Sequence, residues 1–200
     1  MLLRRKDLTR FGRRTKLPGQ SRLPETRFWR TAGDNRSAVV RLPPSPIRHP
    51  VELREFFNED AIQLDLKGES KDDILKELIG LLRLDDKNQA TLFKMLKRRE
   101  NLGSTGIGRQ IAIPHCRSLV VNKLRVAFGR KRSGVDFRAI DEKPVKFFFL
   151  IVAPPLEVSN QYLPVLGKIA QFSKETDIPD RLLEINEPTQ FLALLQEKGV

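Results

Sequence analysis

Residues Val145 to Val152 read VKFFFLIV, an apolar run broken only by Lys146. The run is far too short to cross a membrane, which needs roughly 20 apolar residues. It reads as a strand, and one apolar on both sides must be covered on both faces, as central strands of helix-flanked sheets are. That requirement narrows the fold more than any other stretch of the chain.

The segments around it alternate in period. Residues 61–66, AIQLDL, alternate apolar and polar and predict a short strand. Ser70 followed by Asp73 forms a capping box ahead of ILKELIGLL, whose Ile74, Leu75, Leu78, Leu81 and Leu82 recur at helical spacing. A second helix is expected over 86–99, with Leu92, Met95 and Leu96 inward and Lys94, Lys97 and Arg98 outward. Short strands are expected at 110–113 and 124–129, and helices at 160–174, 178–185 and 188–197. Pro164 falls in a first helical turn, where proline is tolerated. Strands alternating with helices place the chain in the α/β class.

The first fifty residues differ from the rest. They hold 13 Lys/Arg against 3 Asp/Glu, which is most of the formal net charge of +12. Prolines 18, 24, 43, 44, 46 and 50 interrupt any period. Such a stretch buries too little apolar surface to offset its ordering entropy, so 1–50 is expected to be a disordered basic extension ahead of a domain over 51–200. It has no secretory h-region, and its prolines break the amphipathic helix of a transit peptide. A polyanion-binding arm, an inert linker and a translation start further along all fit. Contact with nucleic acid, if any, is expected through this tail alone, and membrane insertion is not expected.

A single cysteine, Cys116, precludes an internal disulfide and fits the cytoplasm. Two histidines and one cysteine are too few for a His/Cys metal cluster, and no acidic cluster replaces them, so neither metal nor cofactor is expected.

Residues 99–117 read RENLGSTGIGRQIAIPHCR. Glycines 103, 106 and 108 let backbone N–H groups approach an anion, and Ser104 and Thr105 add hydroxyl donors. The spacing matches neither a P-loop nor a dinucleotide fingerprint. His115 follows at the end of a predicted strand, stiffened by Pro114, with Arg99 and Arg117 flanking. A neutral imidazole can attack phosphorus, and guanidinium and N–H groups can stabilise the phosphoryl charge that results. Cys116 adjoins His115 on extended backbone, so their side chains point to opposite faces and form no dyad.

RENLGSTGIG-RQIAIPH, followed by GVDFRAIDEKPVKFFFLIVAPP, resembles the fructose/mannitol-type IIA domain of the bacterial phosphotransferase system, nearest to its nitrogen-regulatory branch. The resemblance runs from about Val51 to the C-terminus. It implies a central mixed sheet flanked by helices, and a phosphohistidine carrier that is a transferase component. It implies that a histidine-containing phosphocarrier protein phosphorylates His115, that Arg99 pairs with the phosphoryl group, and that Gly103, Ser104, Thr105 and Gly106 line the phosphate pocket. Asp141 and Pro144 match a D-x-x-P-V turn of structural role. Downstream, a regulated protein or a separate permease is implied. The chain departs from the pattern at Arg109-Gln110, where a glycine-containing pair is common, and at Cys116. It departs again at Tyr162, where a second histidine supporting the first usually opens the H-L-x-x-L helix. A second reading follows from Tyr162: a binding module of the same fold with weakened phosphotransfer.

Overall fold

The computed structural model describes residues 52–156 and 160–200. The extension over 1–50 lies outside the described residues. Strands β1 (Ile62–Gln63), β2 (Gly106–Gly108), β3 (Ile111–Ala112), β4 (His115–Arg117), β5 (Arg125–Val135) and β6 (Val145–Ala153) form one sheet. Its order is β1-β5-β6-β3-β2, with β4 also paired to β6. β5 runs antiparallel to β6, whereas β3 and β4 run parallel to it, so the sheet is mixed. The helices are α1 (Lys71–Gly80), α2 (Asp86–Asn101), α3 (Tyr162–Phe172), α4 (Ile178–Glu184) and α5 (Pro188–Glu197).

β6 is central, as its apolar run requires. Phe147, Phe149, Ile151 and Ala153 face a core shared with Val165 and Ile169 of α3 and Phe191 and Leu195 of α5. Phe148, Leu150 and Val152 face the other core, with Ile74 and Leu78 of α1 and Leu92 and Leu96 of α2. Phe191 stacks on Phe128 at 4.2 Å between centroids, and Phe57 meets Phe191 edge-on at 5.3 Å. Each ring buried this way contributes about 1.5–3 kcal/mol.

Ser70 caps α1, its Oγ accepting from Asp73 N and donating to Asp73 Oδ2 at 2.6 Å. Other expectations shift. The strand expected over 61–66 is regular only at Ile62–Gln63, although Leu66 N still donates to Arg130 O of β5. The second helix continues to Asn101, because Glu100 and the loop after it hold its last turn. Met95, expected inward, is 37% exposed, since the buried stripe of α2 narrows to Leu92 and Leu96. The strand begun at Arg125 runs on to Val135 through a shift in register. Half of the glycine-rich stretch read as loop is strand β2, paired with β3.

β3 and β4 share one register against β6: Ile111 pairs with Phe147 and His115 with Ile151. They are one parallel strand interrupted at Ile113-Pro114, where the Pro114 carbonyl still accepts from Ile151 N at 2.9 Å. The interruption therefore keeps side-chain alternation intact. Ile111, Ile113 and His115 leave toward α3, whereas Ala112 and Cys116 leave toward α1 and α2.

Candidate phosphohistidine site

His115 sits on β4, close to the carboxyl ends of the parallel strands, the usual place for a site in an open α/β sheet. Two contacts orient its ring. The Nδ1 atom lies 2.7 Å from the carbonyl oxygen of Ile113, so it carries the proton and donates it there. Nε2 is left with its lone pair and accepts from Arg99 Nε at 3.2 Å. Burial pushes the imidazole below the ordinary histidine value; the Ile113 carbonyl opposes this, Arg99 adds to it, and Glu100 opposes it. The ring is thus neutral near pH 7, with Nε2 as its nucleophilic nitrogen.

Arg99 occupies the last turn of α2, where a cation is favoured by the helix dipole. Its Nη1 donates to Gly103 O at 2.9 Å, which ties the guanidinium to the loop. The loop is itself held by Glu100, a residue the sequence reading passed over. Glu100 is buried; its carboxylate accepts from Thr105 N at 3.1 Å and Thr105 Oγ1 at 2.7 Å, and pairs with Lys71 Nζ at 2.8 Å. An acid at the end of a helix, next to a glycine loop containing threonine, is the only signal that pointed to it.

The hydroxyls of Ser104 and Thr105 and the amides of Gly103, Thr105 and Gly106 are engaged by the protein itself. Gly103 N donates to Glu100 O at 3.2 Å, and Gly106 N donates to Ser104 Oγ at 3.0 Å. Ser104 Oγ donates to Phe137 O at 2.7 Å. Gly106 lacks a side chain because a Cβ there would meet Ala139 at 2.8 Å. This turn lies beside Arg99 and, through Gly103 O, holds the guanidinium that meets His115 Nε2.

Tyr162 opens α3 and is 8% exposed. Its ring centroid lies 6.4 Å from that of His115. Burial raises its phenol, which stays neutral at physiological pH. Cys116 points to the opposite core, and burial pushes its thiol up to about 12, which leaves it inert as a nucleophile. Asp141 accepts from Arg109 N at 2.9 Å and fastens the β2–β3 turn, a structural task. Among the described residues, no group of three or more His, Cys, Asp or Glu could hold a metal ion, and no helix is long and apolar enough to cross a membrane.

Residues 55–198 match the family model of the phosphoenolpyruvate-dependent sugar phosphotransferase system, EIIA 2. A nitrogen regulatory protein of Bradyrhizobium diazoefficiens is 34% identical over 131 residues, 65% of this chain and 85% of that protein. The fructose-specific EIIABC component of Bacillus subtilis is 28% identical over 149 residues, 74% of this chain but only 23% of that longer protein. The crystal structure of the nitrogen regulatory protein IIA-Ntr from Neisseria meningitidis superposes with a TM-score of 0.65 at 33% identity, covering 72% of this chain and 98% of that one.

Proposed function

Because the chain belongs to the EIIA 2 family of the phosphoenolpyruvate-dependent sugar phosphotransferase system, we propose that it carries a phosphoryl group on Nε2 of His115 within a regulatory, nitrogen-type branch. The observation that carries this reading is the ring's double anchorage, Nδ1–H to Ile113 O and Nε2 to Arg99 Nε. The tautomer is set, the lone pair faces outward from the strand, and the charge that must meet a phosphoryl group is already at the attacking atom.

In the transfer, the Nε2–P bond forms as the donor's N–P bond breaks. The donor's ring leaves as neutral imidazole, keeping the proton on its other nitrogen. The His115 ring retains Nδ1–H against the Ile113 carbonyl, and its positive charge is offset by the phosphoryl oxygens. Positioning and charge stabilisation supply the catalysis. Arg99 Nε gives up its bond to the ring and donates to a phosphoryl oxygen instead, a charge-assisted bond stronger than the one it replaces. Gly103, Ser104, Thr105 and Gly106 serve by holding Arg99 and the rim of the pocket.

The donor is a histidine-containing phosphocarrier protein, and the recipient is a regulated protein or a separate permease. The location is cytoplasmic. Incubation with phosphorylated phosphocarrier yields an acid-labile, base-stable phosphoprotein, and His115→Ala yields none; equal labelling of that variant sinks the assignment. The other reading, a binding module that has lost phosphotransfer, is favoured by Tyr162 standing beside the imidazole. Wild-type protein that stays unlabelled while the phosphocarrier is fully phosphorylated would select it.

A further inference from the structure

Arg117 lies two residues beyond His115 on β4, so both side chains leave the same face of the strand, about 6.6 Å apart along it. The guanidinium is held from two sides. Its Nη1 donates to Pro154 O at 3.1 Å and to Pro155 O at 3.2 Å, the carbonyls that follow β6. Its Cζ stands 4.5 Å from the ring centroid of Tyr162, a cation–π contact. Tyr162 thus lies against both Arg117 and His115. Among the described residues, Arg117 pairs with no carboxylate, and its Nε and Nη2 carry no hydrogen bond. That edge is the fork with which a guanidinium binds carboxylates and phosphates.

We propose that Arg117, set in place by the ring face of Tyr162, is the second cation of the phosphohistidine site and pairs with the phosphoryl oxygens once His115 carries them. The inference rests on the function proposed above. Tyr162 is then a positioning residue that acts through Arg117. Where the resemblance places a second imidazole, this chain uses an aromatic face to hold a permanent charge. The groups around the phosphoryl position are consistent with this. Arg99 arrives from α2 and Arg117 from β4, while the phenol of Tyr162 on α3 is neutral. Among the described residues, the carboxylate beside Arg99, that of Glu100, is engaged by Lys71 and Thr105. Cys116 faces the other core. The phosphoryl dianion therefore meets two guanidinium groups.

The test uses the full chain with His49→Ala, in which His115 is the only histidine. Potassium phosphoramidate loads the ring, and the phosphoryl resonance is followed by phosphorus NMR as pH is lowered. Removing a cation that faces the phosphoryl group should raise the pH at which it takes up a proton. Arg117→Gln is expected to raise the midpoint by about one pH unit, and Arg117→Lys by clearly less. Tyr162→Ala, which releases the guanidinium, shifts it the same way, whereas Tyr162→Phe, which keeps the ring face, holds the wild-type midpoint. A midpoint unchanged in Arg117→Gln overturns the proposal, as does a Tyr162→Phe shift equal to that of Tyr162→Ala. Failure of the parent reading looks different: the protein takes up no phosphorus, or takes up as much when His115→Ala is added.

Discussion

Arg99 Nε and His115 Nε2 meet at 3.2 Å, although one belongs to the end of a helix and the other to a strand at the opposite end of a glycine-rich turn. The turn is short, and Glu100 makes it rigid. Removing the guanidinium should therefore weaken phosphoryl retention without unfolding the domain. Arg99→Gln is expected to lower the phosphorylated fraction at equilibrium with a phosphocarrier by 10- to 100-fold, from a charge-assisted bond of about 1.5–3 kcal/mol. Radiolabel partition between the two proteins measures it.

Burial of the same imidazole sets a pH dependence. Burial, with help from Arg99, holds the His115 imidazole below its unfolded value of 6.5. The unfolded chain then binds more protons in the window just below 6.5, so stability is full above that pH and falls as the pH drops through the folded value. Denaturant midpoints of wild type should decline across this window more steeply than those of His115→Gln. Equal slopes would contradict the burial argument.

Glu100 is expected to matter for stability as well as for the site. Glu100→Ala orphans Lys71, whose side chain is 22% exposed, and leaves buried Thr105 donors unsatisfied. Breaking a buried pair costs about 3–5 kcal/mol, and the partial exposure of Lys71 brings the expectation to about 2–3 kcal/mol. Thermal unfolding checks it.

Two non-glycine residues occupy left-handed backbone in the β2–β3 turn, Arg109 at φ 55° and Gln110 at φ 64°. Gln110 also has a buried Oε1 with no hydrogen-bond partner among the described residues. Gln110→Gly removes both penalties at the expense of some backbone entropy. It should stabilise the domain by about 1 kcal/mol, read as a higher denaturant midpoint.

Arg130 is buried in β5 and donates Nη1 to the carbonyls of Leu182, Leu183 and Ile185 at the end of α4, while Nε donates to Leu64 O at 3.0 Å. Arg130→Met keeps much of the volume but orphans these carbonyls, at about 1–3 kcal/mol for each one left dry. A loss of roughly 3 kcal/mol is expected, and Arg130→Lys should not restore it, because one ammonium cannot reach both elements.

Periodicity and capping chemistry made the long elements legible in the sequence. Ser70 and Asp73 mark the start of α1, Pro188 to Glu197 reads as a helix and is one, and the apolar run at Val145 is the central strand. β2 and β4 were not legible, because each is three residues long and exists through its pairing with a distant partner. Met95 shows the limit of helical spacing, which gives a face but not how wide that face is buried. In the site, His115 and Arg99 stood out through their shared motif. The glycines and hydroxyls of the loop suggest a phosphate pocket, whereas its hydroxyls and the amides of Gly103, Thr105 and Gly106 spend their bonds on Glu100, Phe137 and Ser104. That inward arrangement depends on Lys71, 29 residues before Glu100, and on Phe137, 33 residues after Ser104, which no local pattern encodes.

In the phosphorylated protein the phosphoryl group is expected on Nε2 of His115 while Nδ1 keeps its proton against Ile113 O. Nitrogen-resolved NMR of histidine-labelled protein, loaded by a phosphorylated phosphocarrier, tests it directly. Phosphorus coupling at Nε2 of His115 and a retained Nδ1–H signal are expected. Phosphorus on Nδ1, or on His49, would contradict it.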